Sequence, residues 1–94
     1  MNPVDIATLF GQNLKRARKR ADLSQEELGI RATLHRTEVG LLERGERLPR
    51  IDTMIKVAGA LEVPPAELIE GIKWSPGSTR VGEFRMEDEK SEEG

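Results

Sequence analysis

At 94 residues, with 36% hydrophobic and only 3% aromatic residues, the chain has room for one small domain and a short extension. A core of Leu, Ile, Val, Ala and Met suits a helical bundle better than a β-sandwich, which draws on β-branched and aromatic residues. There is no Cys, which excludes a disulfide framework, a thiol nucleophile and a cysteine-ligated metal, and the single His gives no support to a histidine metal site or catalytic dyad. No apolar run reaches the roughly 18 residues of a membrane span, and no basic segment followed by an apolar one opens the sequence, so a cytoplasmic protein is expected. The net charge of −2 hides an uneven distribution. Leu14 to Arg50 carries ten Lys and Arg against six Asp and Glu, whereas Val81 to Gly94 carries two against six. A basic body and an acidic tail result, and the placement of charge matters more than its total.

In chain order, Asn2-Pro3 predicts the start of a first helix. Ile6, Leu9, Phe10, Leu14, Ala17 and Ala21 recur at spacings of three and four and form its buried stripe, with Lys15, Arg16, Lys19 and Arg20 off that stripe. Ser24 with Glu27 makes an S-x-x-E capping box, so a second helix starts at Gln25. Leu28, Gly29, Ala32 and Leu34 suit its inner face, while Val39 and Leu42 suit the inner face of a third helix. Only Ala32 to His35 remain for the turn between them, and Gly45 lies where a glycine stops a helix in the left-handed conformation. Two helices this short need a scaffold.

The segment from Glu46 to Arg50 holds a Pro and no periodicity, which reads as a loop. A fourth helix is expected over about 51–61 with Met54, Ile55, Ala58 and Leu61 inward. Pro64-Pro65 opens a fifth, with Leu68, Ile69 and Ile72 on its apolar side and Gly71 near its end. Ser75 to Ser78 is a turn or linker signal, Val81 to Met86 a short strand or arm in need of a second edge, and Glu87 to Gly94 a charged tail expected to be disordered.

Residues 10–72 resemble the Cro/C1-type (Xre family) helix-turn-helix domain. The resemblance rests on Leu14 and Arg18, SQEEL at Ser24 to Leu28, Val39, the ERG triplet at Glu43 to Gly45, Pro49, Asp52-Thr53 and the ALEVPPAEL run. It implies an all-α, five-helix, lambda-repressor-like DNA-binding domain over residues 1–74, with the helix-turn-helix unit at about 24–45 and an arm with an acidic tail over 75–94. It implies that Gln25 donates to a DNA phosphate, where free N–H groups already favour an anion. The recognition helix then runs from about His35 to Arg44, and His35, Arg36, Thr37 and Leu41 fall at base-reading positions. Arg44 matches a phosphate-contacting position, and Arg18 with Glu43 an inter-helix ion pair.

Residue chemistry suggests how reading works. Arg36 can fork onto guanine, Leu41 can meet a thymine methyl, and Glu38 can accept from cytosine or repel wrong sites. Lys15, Arg16, Arg47 and Arg50 suit backbone contacts that orient without reading sequence. Thr33 stands where the family commonly has a turn glycine, Gly29 where it has alanine, and His35 where it has a Ser or Thr cap. The expected function is a dimeric repressor of transcription that reads a two-fold symmetric operator on double-stranded DNA, with no cofactor, no metal and no catalysis. Helix 5 with Trp74 to Met86 is the expected dimer seam. The alternative is an antitoxin-like protein that binds DNA with the same fold and a protein partner with its tail.

Overall fold

The computed structural model describes residues 5–77 and 82–86. Five helices come first: α1 (Ile6–Arg20), α2 (Gln25–Ala32), α3 (Arg36–Glu43), α4 (Ile51–Leu61) and α5 (Pro65–Leu68). A hairpin of β1 (Ile72–Ser75) and β2 (Glu83–Met86) follows. The cap of α1 is Asp5, whose Oδ1 accepts from the Ala7 N–H at 3.1 Å, while the expected Asn2-Pro3 start lies outside the described residues. The buried face of α1 is Ala7, Phe10, Gly11, Leu14, Ala17 and Arg18. Ile6 and Leu9 are only half-buried, and Ala21, exposed at the C-cap, is not part of the stripe.

The capping box of α2 is complete: the Ser24 hydroxyl accepts from Glu27 N–H at 3.0 Å, and Glu27 Oε1 accepts from Ser24 N–H at 2.8 Å. Four helix ends turn the chain through the left-handed region, at Asp22 (φ 62°), Thr33 (φ 60°), Gly45 (φ 74°) and Glu62 (φ 60°). Each closes with the same pair of backbone bonds, such as Gly45 N–H to Leu42 O at 3.2 Å and Glu46 N–H to Leu41 O at 3.0 Å. Only Gly45 is a residue for which that conformation carries no Cβ penalty.

Leu14, Leu28, Val39, Leu42, Val57 and Leu68 are fully buried, so every helix commits at least one large side chain to a single core. Each such burial is worth roughly 1.5–3 kcal/mol, which is what holds eight-residue α2 and α3 in place. On α4, Ala58 and Leu61 lie in the core and Met54 packs against it as expected, but Ile55 does not. Thr53, Val57 and Leu61, four apart, face the core with Ala58, while Ile55 follows Ile51 onto the solvent side and is 55% exposed. Ile69 is exposed as well, and Ile72 belongs to β1, because α5 ends after one turn and Gly71 (φ 86°) redirects the chain. The second edge for the expected arm comes from within the chain. Ile72, Lys73, Trp74 and Ser75 pair antiparallel with Met86, Arg85, Phe84 and Glu83, and Trp74 meets Phe84 edge-on at 5.1 Å. Val81 and the acidic tail lie outside the described residues.

Candidate nucleic-acid interface

The turn that presents α3 is built by close approach. A Cβ at Gly29 would lie 2.6 Å from Leu34 O, so only a glycine lets α2 and the turn pack this tightly. Thr33 supplies the left-handed residue and His35 caps α3, its Nδ1 accepting from Thr37 N–H at 3.0 Å. With Val39 and Leu42 pinned in the core, Arg36 and Thr37 are left exposed on the opposite side with His35, and Glu38 and Leu41 are half-buried at the edges. The first turn of α3 is therefore the outward-facing part of a fixed helix.

Behind it lies one buried ionic network. Arg18 on α1 donates to Glu43 on α3 through Nε (2.5 Å) and Nη2 (3.0 Å), and to Leu23 O through Nη1 (2.7 Å). The side chains are 10% and 2% exposed, so a forked, satisfied pair rather than a surface contact joins the two helices. Hydrogen bonding to Glu43 raises the Arg18 pKa above its ordinary value despite the opposing effect of burial. Glu43 also accepts from Gln25 Nε2 at 3.0 Å, which points the amide of the α2 N-terminus inward and fixes its rotamer. One amide hydrogen of Gln25 remains for another acceptor.

Gly40 completes the arrangement and was not singled out from sequence. A Cβ there would lie 3.0 Å from Arg44 Nη1 and 3.6 Å from Gln25 Oε1, so the bare position is where the side chains of Gln25 and Arg44 come together. The signal was available: a glycine inside a short helix costs about 1 kcal/mol in propensity and marks a close approach. A glycine at position 11 does the same for α1, where a Cβ would lie 2.4 Å from Leu42 O.

The basic residues around the network are exposed and loosely held. Arg36 lies 3.6 Å from Glu26, Arg44 3.0 Å from Glu46 and Arg50 3.2 Å from Asp52. Exposed pairs of this kind contribute about 0–1 kcal/mol, so a stronger anion displaces the acid readily. Lys15 is exposed on α1 and Arg47 on the loop after α3, while Arg16 donates to Asn13 at 2.9 Å. Glu26, Ile30, Leu34, His35 and Arg36 line an open hollow of about 330 Å³ between α2 and α3. Among the described residues no group of three or more potential ligands is placed to hold a metal, and no helix is long and apolar enough to cross a membrane.

Comparison with known proteins agrees with this geometry. The helix-turn-helix family HTH_3 matches residues 14–68. The chain is 37% identical over 67 residues to control protein C.BamHI of Bacillus amyloliquefaciens, spanning 70% of this chain and 83% of that protein. It superposes on the restriction-modification controller protein C.AhdI of Aeromonas hydrophila with a TM-score of 0.65 and 40% identity, over 66% of this chain and 94% of that one. It superposes on the P22 c2 repressor, solved with a synthetic operator, with a TM-score of 0.63 and 25% identity, over 67% of this chain and 96% of that one. The β1–β2 hairpin lies beyond the family match, which ends at Leu68. With its capped α2, its left-handed turn and its core-anchored α3, the chain belongs to the HTH_3 helix-turn-helix family of transcriptional regulators, of the Cro/C1 (Xre) type.

Proposed function

We propose that the chain is a sequence-specific DNA-binding repressor or controller of transcription that acts as a homodimer on a two-fold symmetric operator. The observation that carries this reading is the exposed first turn of α3, held outward by the burial of Val39 and Leu42. In the major groove, Arg36 leaves Glu26 and forks onto guanine O6 and N7. Thr37 and Leu41 meet neighbouring base edges, and Glu38 accepts from cytosine N4 or rejects other bases. Gln25, oriented by Glu43, and Arg44 hold phosphates on either side of Gly40, while Lys15 and Arg47 add contacts that set the register. Two relatives named as control or controller proteins, and a structural neighbour solved on an operator, support this assignment.

One domain reads too few base pairs for selectivity, and pairing half-sites about one helical turn (~34 Å) apart overcomes this. Two exposed apolar surfaces are available for the seam: Ile69, Trp74, Phe84 and Met86 at the hairpin, and Leu48, Ile51 and Ile55 at the start of α4. The test is selection of bound duplexes from a random pool, followed by titration across salt with wild type and Arg36→Ala. A two-fold symmetric site should emerge, and Arg36→Ala should relax one position per half-site at a cost of about 1–3 kcal/mol. Weak binding without a motif and with only a steep salt slope refutes sequence-specific reading.

A further inference from the structure

The only histidine of the chain has one ring nitrogen already engaged. Thr37 N–H can only donate, so the Nδ1 that receives it at 3.0 Å carries no proton. In the neutral ring the proton then sits on Nε2, at the far edge of an exposed side chain. The same side chain borders the open hollow with Glu26 and Arg36, on the outward-facing side of α3. Switching the tautomer would surrender the bond that starts α3, so the cap selects which chemistry the outer edge presents.

We infer that His35 contacts DNA directly and that its cap to Thr37 locks its outer edge as a hydrogen-bond donor, so that it meets an acceptor on DNA and never a donor group such as adenine N6 or cytosine N4. This rests on the DNA-binding reading above and names the ligand chemistry at one position of it. The acceptor is either a base-edge atom in the groove (a purine N7, guanine O6 or thymine O4) or a phosphate oxygen, none of which has a hydrogen to offer. A serine or threonine cap, common at this position in the family, holds the helix without a comparable reach. The histidine therefore keeps the cap and adds an outward group beyond it.

The experiment combines nitrogen-15 NMR of the imidazole in the free protein with binding of His35→Ser and His35→Asn to the duplex selected by wild type. Serine can accept from Thr37 N–H but offers no donor at that distance, whereas asparagine can cap through Oδ1 and donate through Nδ2. The expected results are an imidazole with its proton on Nε2 and none on Nδ1, and a His35→Ser protein with near wild-type melting whose affinity falls roughly 5- to 100-fold. Asparagine should recover part of the loss. A base contact makes the loss specific to one base position and, where the acceptor is a purine N7, removes it on a duplex carrying the 7-deaza purine at that position; a phosphate contact makes it uniform across sequences. Either pattern supports the donor assignment and tells the two acceptors apart. A ring protonated on Nδ1, or a folded His35→Ser protein that binds as tightly as wild type, overturns it. If wild type selects no duplex, the functional proposal falls with it, while the NMR result still reports whether the cap fixes the tautomer.

Discussion

Replacing Gly11 and Gly59 by alanine, one at a time, should move stability in opposite directions. Both lie in helices, where alanine gains roughly 0.5–1 kcal/mol over glycine. At Gly59, among the described residues, no atom beyond its chain neighbours and the backbone of its own helix lies within 4 Å of the new methyl group, so the whole gain should appear. At Gly11 the methyl carbon would lie 2.4 Å from Leu42 O and 2.6 Å from Glu43 O, where ordinary contact starts at 3.4 Å. These are main-chain atoms in the last turn of α3, tied to α1 by Arg18 and Glu43, so neither side can rotate away. Separating the helices should cost about 1–3 kcal/mol or more, as overpacking does, and this outweighs the propensity gain. At roughly 4–8 °C per kcal/mol for a domain of this size, Gly59→Ala should melt a few degrees above wild type and Gly11→Ala about 5–15 °C below it. Urea and thermal unfolding followed by circular dichroism measure both. Equal shifts of the same sign would refute the argument that close approach, rather than propensity, governs position 11.

Two further outcomes follow from the caps and the network. Glu43→Gln or Arg18→Met should each cost about 3–5 kcal/mol because the remaining charge is left buried, and the double variant Arg18→Met with Glu43→Leu should recover most of that loss in urea titrations. The Glu27 carboxyl is held below the ordinary glutamate value by the Ser24 backbone N–H and then by its hydroxyl. Its contribution is therefore fully present above that ordinary value and is lost as pH falls through the depressed one. Thermal melts from pH 7 to pH 3 should show a shallower decline for Glu27→Gln, which keeps the acceptor without the titration; parallel curves would exclude the capping box as a source of acid sensitivity.

What could be read from sequence was what depends on fixed local spacing. Ser24 and Glu27 set the start of α2, and Gly45 its counterpart at the end of α3, because each motif satisfies backbone groups within a single turn. The inner face of α4 was legible at Met54, Ala58 and Leu61 but not at Ile55, which is as apolar as Val57; only packing against the other helices decides which of the two goes inside. The hairpin was half legible. Alternation marked β2 as a strand, but in its partner Ile72 read as part of the fifth helix and Ser75 as the start of a turn, since pairing between separate segments leaves no periodic trace in either. At the interface, the positions of Gln25, His35 and Arg44 came from family resemblance, whereas Glu43 as the group that orients Gln25, and Gly40 as the space where Gln25 and Arg44 meet, needed the fold.

Three of the four left-handed helix ends are held by Asp22, Thr33 and Glu62 rather than by glycine. A β-branched threonine is the most strained of these, and relieving such a conformation is worth of order 1 kcal/mol per site, less what glycine adds to the freedom of the unfolded chain. The three turns lie between different helix pairs, so such gains should add. The domain thus keeps an untapped margin at its corners, two of which, at Asp22 and Glu62, lie outside the turn that presents α3. A lineage that alters the exposed turn of α3 to recognise a new sequence, and loses stability in doing so, can recover part of it by single substitutions at Asp22 and Glu62, both exposed and outside the turn that presents α3.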